Sequence, residues 1–208
     1  FGEYKDFLKA YLASVNYADE LLGRILDRMD ACNLWDNTTV VLWSDHGWQL
    51  GEKLAFRKFT LWERALRVPM MFAGPGITPA RSAEPVTLTD IAPTLMACAG
   101  LLIPDQFQGQ DLSAALGRSG PPLRGNAVAV WGRGFKSDSP KLAMTARSAT
   151  HRYILYWDGS EELYDHRYDP FEHTNLLKPD PYAPEYAQIK EDLQLMLPED
   201  FAEPANMA

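Results

Sequence analysis

Residues 39–43, TVVLW, are a short run rich in β-branched and apolar side chains. Such a run is typical of a central strand covered on both faces, because a strand with one wet face would alternate apolar and polar residues. Residues 4–32 precede it and space their apolar side chains three and four residues apart, which predicts a long amphipathic helix. A second apolar run at residues 67–73 ends at Gly74-Pro75-Gly76 and predicts another buried strand. These patterns together predict layered helices and strands.

The second half of the chain has a different pattern. Residues 87–100 read as a helix capped by Thr89. A connection rich in glycine and proline follows at residues 115–126. Beyond it the apolar and polar residues alternate more regularly, which predicts an antiparallel sheet with one wet face. Residues 186–197 predict a last helix.

Composition excludes some classes of function. The 208 residues carry a net charge of −8, which disfavours nucleic acid as a partner because phosphate binding needs a basic surface. The sequence has no run of about 18 apolar residues, so we expect no transmembrane helix. The N-terminus lacks the pattern of a signal peptide and reads as the interior of a longer domain. Cys32 and Cys98 lie far apart, as buried thiols or one disulfide, and do not define a compartment.

Asp45 and His46 are adjacent at the end of the first predicted strand, and Gly47 follows them. If that strand is parallel to its neighbours, Asp45 lies at the carboxyl end of a sheet, where open α/β folds bind ligands. An ionised aspartate suits Ca²⁺ or Mg²⁺, and an imidazole binds a borderline metal or contacts an anionic substrate. The alternative interpretation is a turn-forming aspartate beside a surface histidine.

The sequence around this pair resembles the sulfatase family of the alkaline-phosphatase superfamily. The stretch SDHGWQLGEK, with a lysine further along, is similar to the iduronate-2-sulfatase-like branch. Three other stretches resemble the family in the same order: the long helix with its strand, the LTDIAPTLMACAGL helix, and the ELYDHRYDPFEHTNL ending. The resemblance implies an α/β fold, with the C-terminal part of an alkaline-phosphatase-like α/β sandwich at residues 1–118. A small antiparallel sheet with a terminal helix would follow at residues 119–208.

The resemblance also implies roles for particular residues. Asp45 matches a carboxylate ligand of a divalent cation, usually Ca²⁺. His46 matches an active-site position, either as a metal ligand or as a catalytic residue that contacts sulfate. Lys58 matches the lysine that contacts the sulfate and the nucleophile, and an ammonium group there would stabilise developing negative charge. The alternative for Lys58 is an ordinary solvated lysine, and Lys53 and Arg57 in the same loop compete for its role.

Trp48 is a candidate substrate-binding residue beside this pair, and its alternative is a place in the core. The three histidines near the end of the chain, His151, His166 and His173, read as structural or surface residues.

The nucleophile motif of the family, C/S-x-P-x-R, is absent, as is its early pair of aspartates. We therefore expect the chain to be the C-terminal portion of a sulfatase, with a formylglycine nucleophile in an N-terminal segment or a separate N-terminal chain. The implied reaction is hydrolysis of a sulfate ester, with sulfated sugars as the family-level substrate and a periplasmic, secreted or lysosomal location. Two alternatives are a related phosphodiesterase or phosphonate monoester hydrolase, and a non-catalytic binding or assembly module.

Overall fold

A computed structural model describes residues 2–133 and 141–199 of the chain. The first half begins with one long helix, as the apolar spacing predicts, and continues with short strands and helices. In order these are α1 (Gly2–Ala31), β1 (Val40–Trp43), β2 (Gln49–Leu50), β3 (Phe56–Arg57), α2 (Glu63–Leu66), β4 (Met70–Ala73) and α3 (Ile91–Cys98). The second half contains β5 (Asn126–Arg133), β6 (Lys141–Ser148), β7 (His151–Leu155), β8 (Glu161–Asp165) and α4 (Ala187–Gln194). None of the helices described in these two ranges is long and apolar enough to cross a membrane.

Strands β1 and β4 form a two-stranded antiparallel sheet, with Val40 opposite Ala73 and Trp43 opposite Met70. The expectation of a parallel neighbour is therefore wrong for the strand that lies beside β1. The connecting loop turns back on itself, so the chain enters β4 in the opposite direction. The two strands are also only partly covered, and Trp43 is 47% exposed.

Helix α3 begins at Ile91, one residue later than a cap at Thr89 would allow. Thr87 and Asp90 form a reciprocal capping box around a short 3-10 turn, and Thr89 lies inside that turn. The buried Asp90 carboxylate also accepts a hydrogen bond from the backbone of Gln110 at 2.8 Å. The predicted cap at Thr89 is thus wrong, because Asp90 reaches back to the backbone N–H of Thr87. Gly100 follows the helix with φ +70°, a value that favours glycine.

The four strands β5 to β8 form one antiparallel sheet in sequential order, as predicted. One face packs against α4 through a cluster of apolar side chains that includes Tyr153, Leu163 and Leu193. The other face packs Ile154 and Tyr164 against Leu61 and partly buried side chains near it. The prediction of a solvent-exposed face is therefore wrong, because Leu61 and the side chains near it cover that face. The sheet and the loop that carries the predicted site are consequently in direct contact.

Candidate active site

The polar loop leaves β1 at Ser44 and is anchored to α2 by a glycine. The backbone N–H of Gly47 donates to the carbonyl of Ala65 at 2.7 Å. A Cβ at Gly47 would lie 2.0 Å from the carbonyl oxygen of Arg64, closer than real Cβ contacts. Only glycine permits this approach of two backbones. Gly47 is therefore needed for the close contact between this loop and α2.

Asp45, His46 and Lys58 lie together, as the sequence predicts. The Lys58 Nζ is 2.5 Å from His46 Nε2, across 12 residues of sequence. The Asp45 Oδ2 is 3.4 Å from the same nitrogen, and Oδ1 accepts a hydrogen bond from the His46 backbone at 3.0 Å. The Asp45 side chain is 73% exposed and that of His46 is 29% exposed. The carboxylate therefore opens to solvent above a half-buried imidazole.

The partners of His46 define its protonation. Its Nδ1 lies 2.8 Å from the carbonyl oxygen of Gly47, which can only accept a hydrogen bond. The Lys58 ammonium can only donate, so Nε2 presents its lone pair. These two contacts fit the tautomer with its proton on Nδ1.

The donor set at this point suits a cation. A lone pair of His46 Nε2 and a carboxylate oxygen of Asp45 converge, and two such atoms repel each other unless a positive charge lies between or beside them. Lys58 supplies one positive charge. The same pair offers one hard oxygen and one nitrogen to a divalent cation, and a Ca²⁺ ion takes six to eight ligands, mostly oxygen. The described residues therefore fit part of a divalent-cation site.

The three basic side chains of the loop have different surroundings. Lys58 contacts His46. Lys53 points to the sheet of the second half, where its Nζ donates to the Tyr164 hydroxyl at 2.8 Å. Arg57 is exposed, with φ +72°. Of the three, Lys58 is the one that lies beside the Asp-His pair.

Trp48 lies beside the pair as well, with its ring centroid 6.3 Å from that of His46. Its indole Nε1 is buried and has no hydrogen-bond partner among the residues that the structure describes. A buried N–H without a partner is costly, which is a reason to look for a group that accepts from it. The indole N–H is therefore an unsatisfied donor enclosed by the described residues.

The loop between β2 and β3 has an unusual backbone. Lys53, Leu54 and Arg57 have φ values of 52°, 59° and 72°, in the left-handed region that favours glycine. Each such residue costs on the order of 1–2 kcal/mol. Glu52 supports the loop by accepting from the Leu50 backbone at 2.6 Å. This strain was not visible in the sequence, because none of the three residue types signals a left-handed conformation.

A second group of side chains, Glu63, His166 and Glu172, brings three potential metal ligands together. Two arginines already neutralise it: Arg152 lies 2.5 Å from Glu63 and 2.6 Å from Glu172, and Arg147 lies 3.6 Å from Glu63. Burial alone would raise the pKa of Glu172, but the hydrogen bond from His166 and the Arg152 charge hold that pKa below its ordinary value. This is an ion-pair network, and a cation there would compete with two guanidinium groups.

The Glu172 carboxylate also accepts from the backbone N–H of Glu63 at 2.7 Å, at the first residue of α2. The sequence analysis missed this contact. The only signal was the acidic residue in the DPFEHTNL ending.

Comparisons with known proteins find relatives for most of this chain. A family model described as Sulfatase matches residues 2–101. A protein of Formosa agariphila described as a sulfatase is 36% identical over 175 residues, which cover 84% of this chain and 33% of that protein. A solved structure described as a complex with its substrate D-glucosamine-2-N,6-O-disulfate aligns with a TM-score of 0.71 and 28% identity. That alignment covers 89% of this chain and 38% of the other.

A phosphonate monoester hydrolase from Silicibacter pomeroyi aligns with a TM-score of 0.72 at 22% identity, over 84% of this chain and 37% of that one. At this identity the likeness is one of fold. The chain spans about a third of the length of the curated relatives it matches.

Proposed function

The chain belongs to the sulfatase family, and we propose that it supplies the cation-binding and sulfate-binding side of a sulfuric ester hydrolase. The observation that carries this proposal is the convergence of Asp45, His46 and Lys58 at the end of β1. A carboxylate, an imidazole lone pair and an ammonium in one place can bind a cation and the anion that the cation attracts. A turn-forming Asp-His pair would not need a lysine from 12 residues away.

Each residue has a proposed role. Asp45 would hold a divalent cation through its carboxylate, and His46 would complete that contact through Nε2 or face the sulfate. Lys58 would donate to a sulfate oxygen on which negative charge develops. A divalent cation, which we propose to be Ca²⁺, would neutralise the sulfate oxygens of the substrate. Trp48, whose ring lies beside His46, would contribute to substrate binding through that ring.

The nucleophile is expected outside the chain, as a formylglycine. Helix α1 exposes apolar side chains along most of its length, with Leu12 65%, Val15 52% and Ile25 59% exposed. This exposure supports the proposal that another protein segment packs on α1. Large apolar patches on a soluble protein mark contacts with other protein segments. We propose that an N-terminal sulfatase segment or chain covers this stripe.

The proposed substrate is a sulfate ester of a sugar. A structural relative binds D-glucosamine-2-N,6-O-disulfate as its substrate, which supports a sugar sulfate for this chain. The single ammonium of Lys58 beside His46 suits one sulfate group. The net charge of −8 does not favour a long polyanion.

A terbium titration tests the cation site directly. Tb³⁺ takes oxygen ligands as Ca²⁺ does, and a nearby indole excites its luminescence, so Trp48 acts as the reporter. The expected result is a luminescence signal that Ca²⁺ displaces at roughly millimolar concentration. Asp45→Asn should remove the signal, and Asp36→Asn serves as a matched control at an exposed aspartate before β1. An equal signal from the wild type and Asp45→Asn would contradict the proposal.

A further inference from the structure

We propose that Lys53 is a positioning residue whose ammonium group, held between Trp62 and Tyr164, fixes the loop that carries His46 and Lys58. The structural part of this inference stands on the described contacts alone. Its effect on turnover rests on the proposed function.

The surroundings of the Lys53 Nζ form a clamp. The atom lies 3.8 Å from the centroid of the Trp62 ring and 4.5 Å from that of Tyr164, and it donates to the Tyr164 hydroxyl at 2.8 Å. Cations attract the faces of aromatic rings, most strongly where water is excluded. Both rings are fixed in turn, because the Trp62 indole and the Tyr164 hydroxyl donate to Glu162 Oε2 at 2.7 and 2.8 Å. The ammonium is therefore held by two rings, and both rings are hydrogen-bonded to the Glu162 carboxylate.

This clamp acts on a strained backbone, which the Tyr4 hydroxyl also contacts at the Leu50 carbonyl at 2.7 Å. Lys53 and Leu54 both lie in the left-handed region, and the Leu54 side chain is 96% exposed, so it contributes little packing. Backbone hydrogen bonds from Leu54 to Gly51 and from Ala55 to Glu52 close the turn. The Lys53 side chain is the group that joins this turn to the sheet of the second half.

The clamped turn is the tip of a hairpin whose two arms lead to the site. Strands β2 and β3 pair with Gln49 opposite Arg57 and Leu50 opposite Phe56. The β2 arm follows His46 and Trp48, and the β3 arm is followed at once by Lys58. Trp62, which holds the Lys53 ammonium, lies four residues after Lys58. A shift of the tip would therefore move Lys58 relative to His46, whose contact is 2.5 Å.

Amide hydrogen exchange on the 208-residue chain tests the structural part. Lys53→Met keeps the length of the side chain and removes the charge, and it should speed exchange of the amides of residues 50–58 by roughly tenfold or more. Lys53→Arg should restore protection, because a guanidinium also packs on aromatic rings. Arg57→Met removes the same charge from the same hairpin and should leave exchange unchanged. Tyr164→Phe keeps the ring, removes the hydroxyl and should have an intermediate effect.

Two outcomes would overturn the inference. The first is wild-type protection of the hairpin in Lys53→Met. The second is an equal loss of protection in strands β6 and β7, which would make Lys53 a general stabiliser of the sheet.

The effect of Lys53 on the site is tested by measuring kcat and KM. These measurements use the enzyme assembled with the proposed N-terminal part. Displacement of a catalytic group by about 1 Å costs up to about 100-fold in rate. Lys53→Met should therefore lower kcat by roughly 10- to 100-fold with little change in KM, and Lys53→Arg should recover most of it. If the wild type neither binds Tb³⁺ nor hydrolyses sulfate esters, the proposed function fails, while the exchange result still decides the role of Lys53. Unchanged kcat in Lys53→Met beside an active wild type would overturn the positioning role.

Discussion

The ammonium nitrogen of Lys58 lies 2.5 Å from Nε2 of His46, on the side of the imidazole that Asp45 also approaches. A lysine and a carboxylate thus approach the same imidazole nitrogen. Asp45 brings a negative charge to this nitrogen and Lys58 brings a positive charge. Substitutions of the two residues should therefore have different effects on cation binding.

Asp45→Asn and Lys58→Met should have opposite effects on cation binding. The first removes a formal negative charge from a hard-cation site, so affinity for Tb³⁺ should fall at least tenfold. The second removes a positive charge that competes for His46, so affinity should rise roughly threefold to tenfold. In the assembled enzyme Lys58→Met should nevertheless lower turnover by about 100-fold or more. Weaker cation binding in Lys58→Met would contradict the geometry described here.

His46→Ala distinguishes the two roles left open for the imidazole. A ligand role predicts weaker Tb³⁺ binding, as in Asp45→Asn. A sulfate-contacting role predicts unchanged Tb³⁺ binding and reduced turnover. The Nε2 atom faces both the Asp45 carboxylate and Lys58, which favours the ligand role, and that is the result we expect. His173→Ala, at an exposed histidine, is the matched control.

Gly47→Ala should damage both the fold and the site. The added methyl group would lie 2.0 Å from the Arg64 carbonyl oxygen, so α2 or the loop must move. We expect a loss of about 2–4 kcal/mol in the free energy of unfolding, measured by urea denaturation. Gly23→Ala, in α1, has nothing within 4 Å of its added methyl group and should gain about 0.5–1 kcal/mol. Equal stability of the two variants would show that the close approach at Gly47 is unimportant.

Glu172 should make the stability depend on pH at the acid end. Its pKa in the folded chain lies below the ordinary value of 4.5, so its contribution is present above about pH 4.5 and is lost as the pH falls through the folded pKa. Glu172→Gln should remove about 3 kcal/mol at neutral pH, because Arg152 loses a buried partner. The variant should also lose less stability than the wild type below pH 4.5. Parallel stability curves for the two proteins on the acid side would rule out this linkage.

The isolated 208-residue chain should not hydrolyse sulfate esters. It lacks the C/S-x-P-x-R motif, and loss of a nucleophile typically costs on the order of 10⁶ in rate. An aryl sulfate assay on the purified chain, beside the inactive Lys58→Met variant, checks this expectation. Turnover by the wild type that Lys58→Met lacks would show that the chain contains its own nucleophile.

Much of the site was predictable because its signals are local. Asp45, His46 and Gly47 are consecutive, and the motif places Lys58 a fixed distance along the chain. The fold of the first half is that of the C-terminal part of an alkaline-phosphatase-like sandwich, as the resemblance implies. The branch within the family and the division at residue 118 stay predictions.

The features that the sequence could not show depend on contacts between distant residues. Lys53 and Lys58 look alike in sequence, and only Trp62, Tyr164 and the hairpin separate their roles. The wet face expected for the second sheet was wrong, because alternation in a strand cannot reveal that Leu61 covers it. The direction of the strand beside β1 likewise depends on how the loop folds back.

The tethers of the loop also set the order in which the site can form during synthesis. Lys53 and Tyr164 are 111 residues apart, and Glu63 and Glu172 are 109 residues apart. At about 5–20 residues per second, the ribosome completes the second partner on the order of 5–20 seconds after the first. During that interval the hairpin has neither its aromatic clamp nor the carboxylate at the start of α2. The loop that carries His46 and Lys58 therefore gains these two tethers only after translation has passed residue 172.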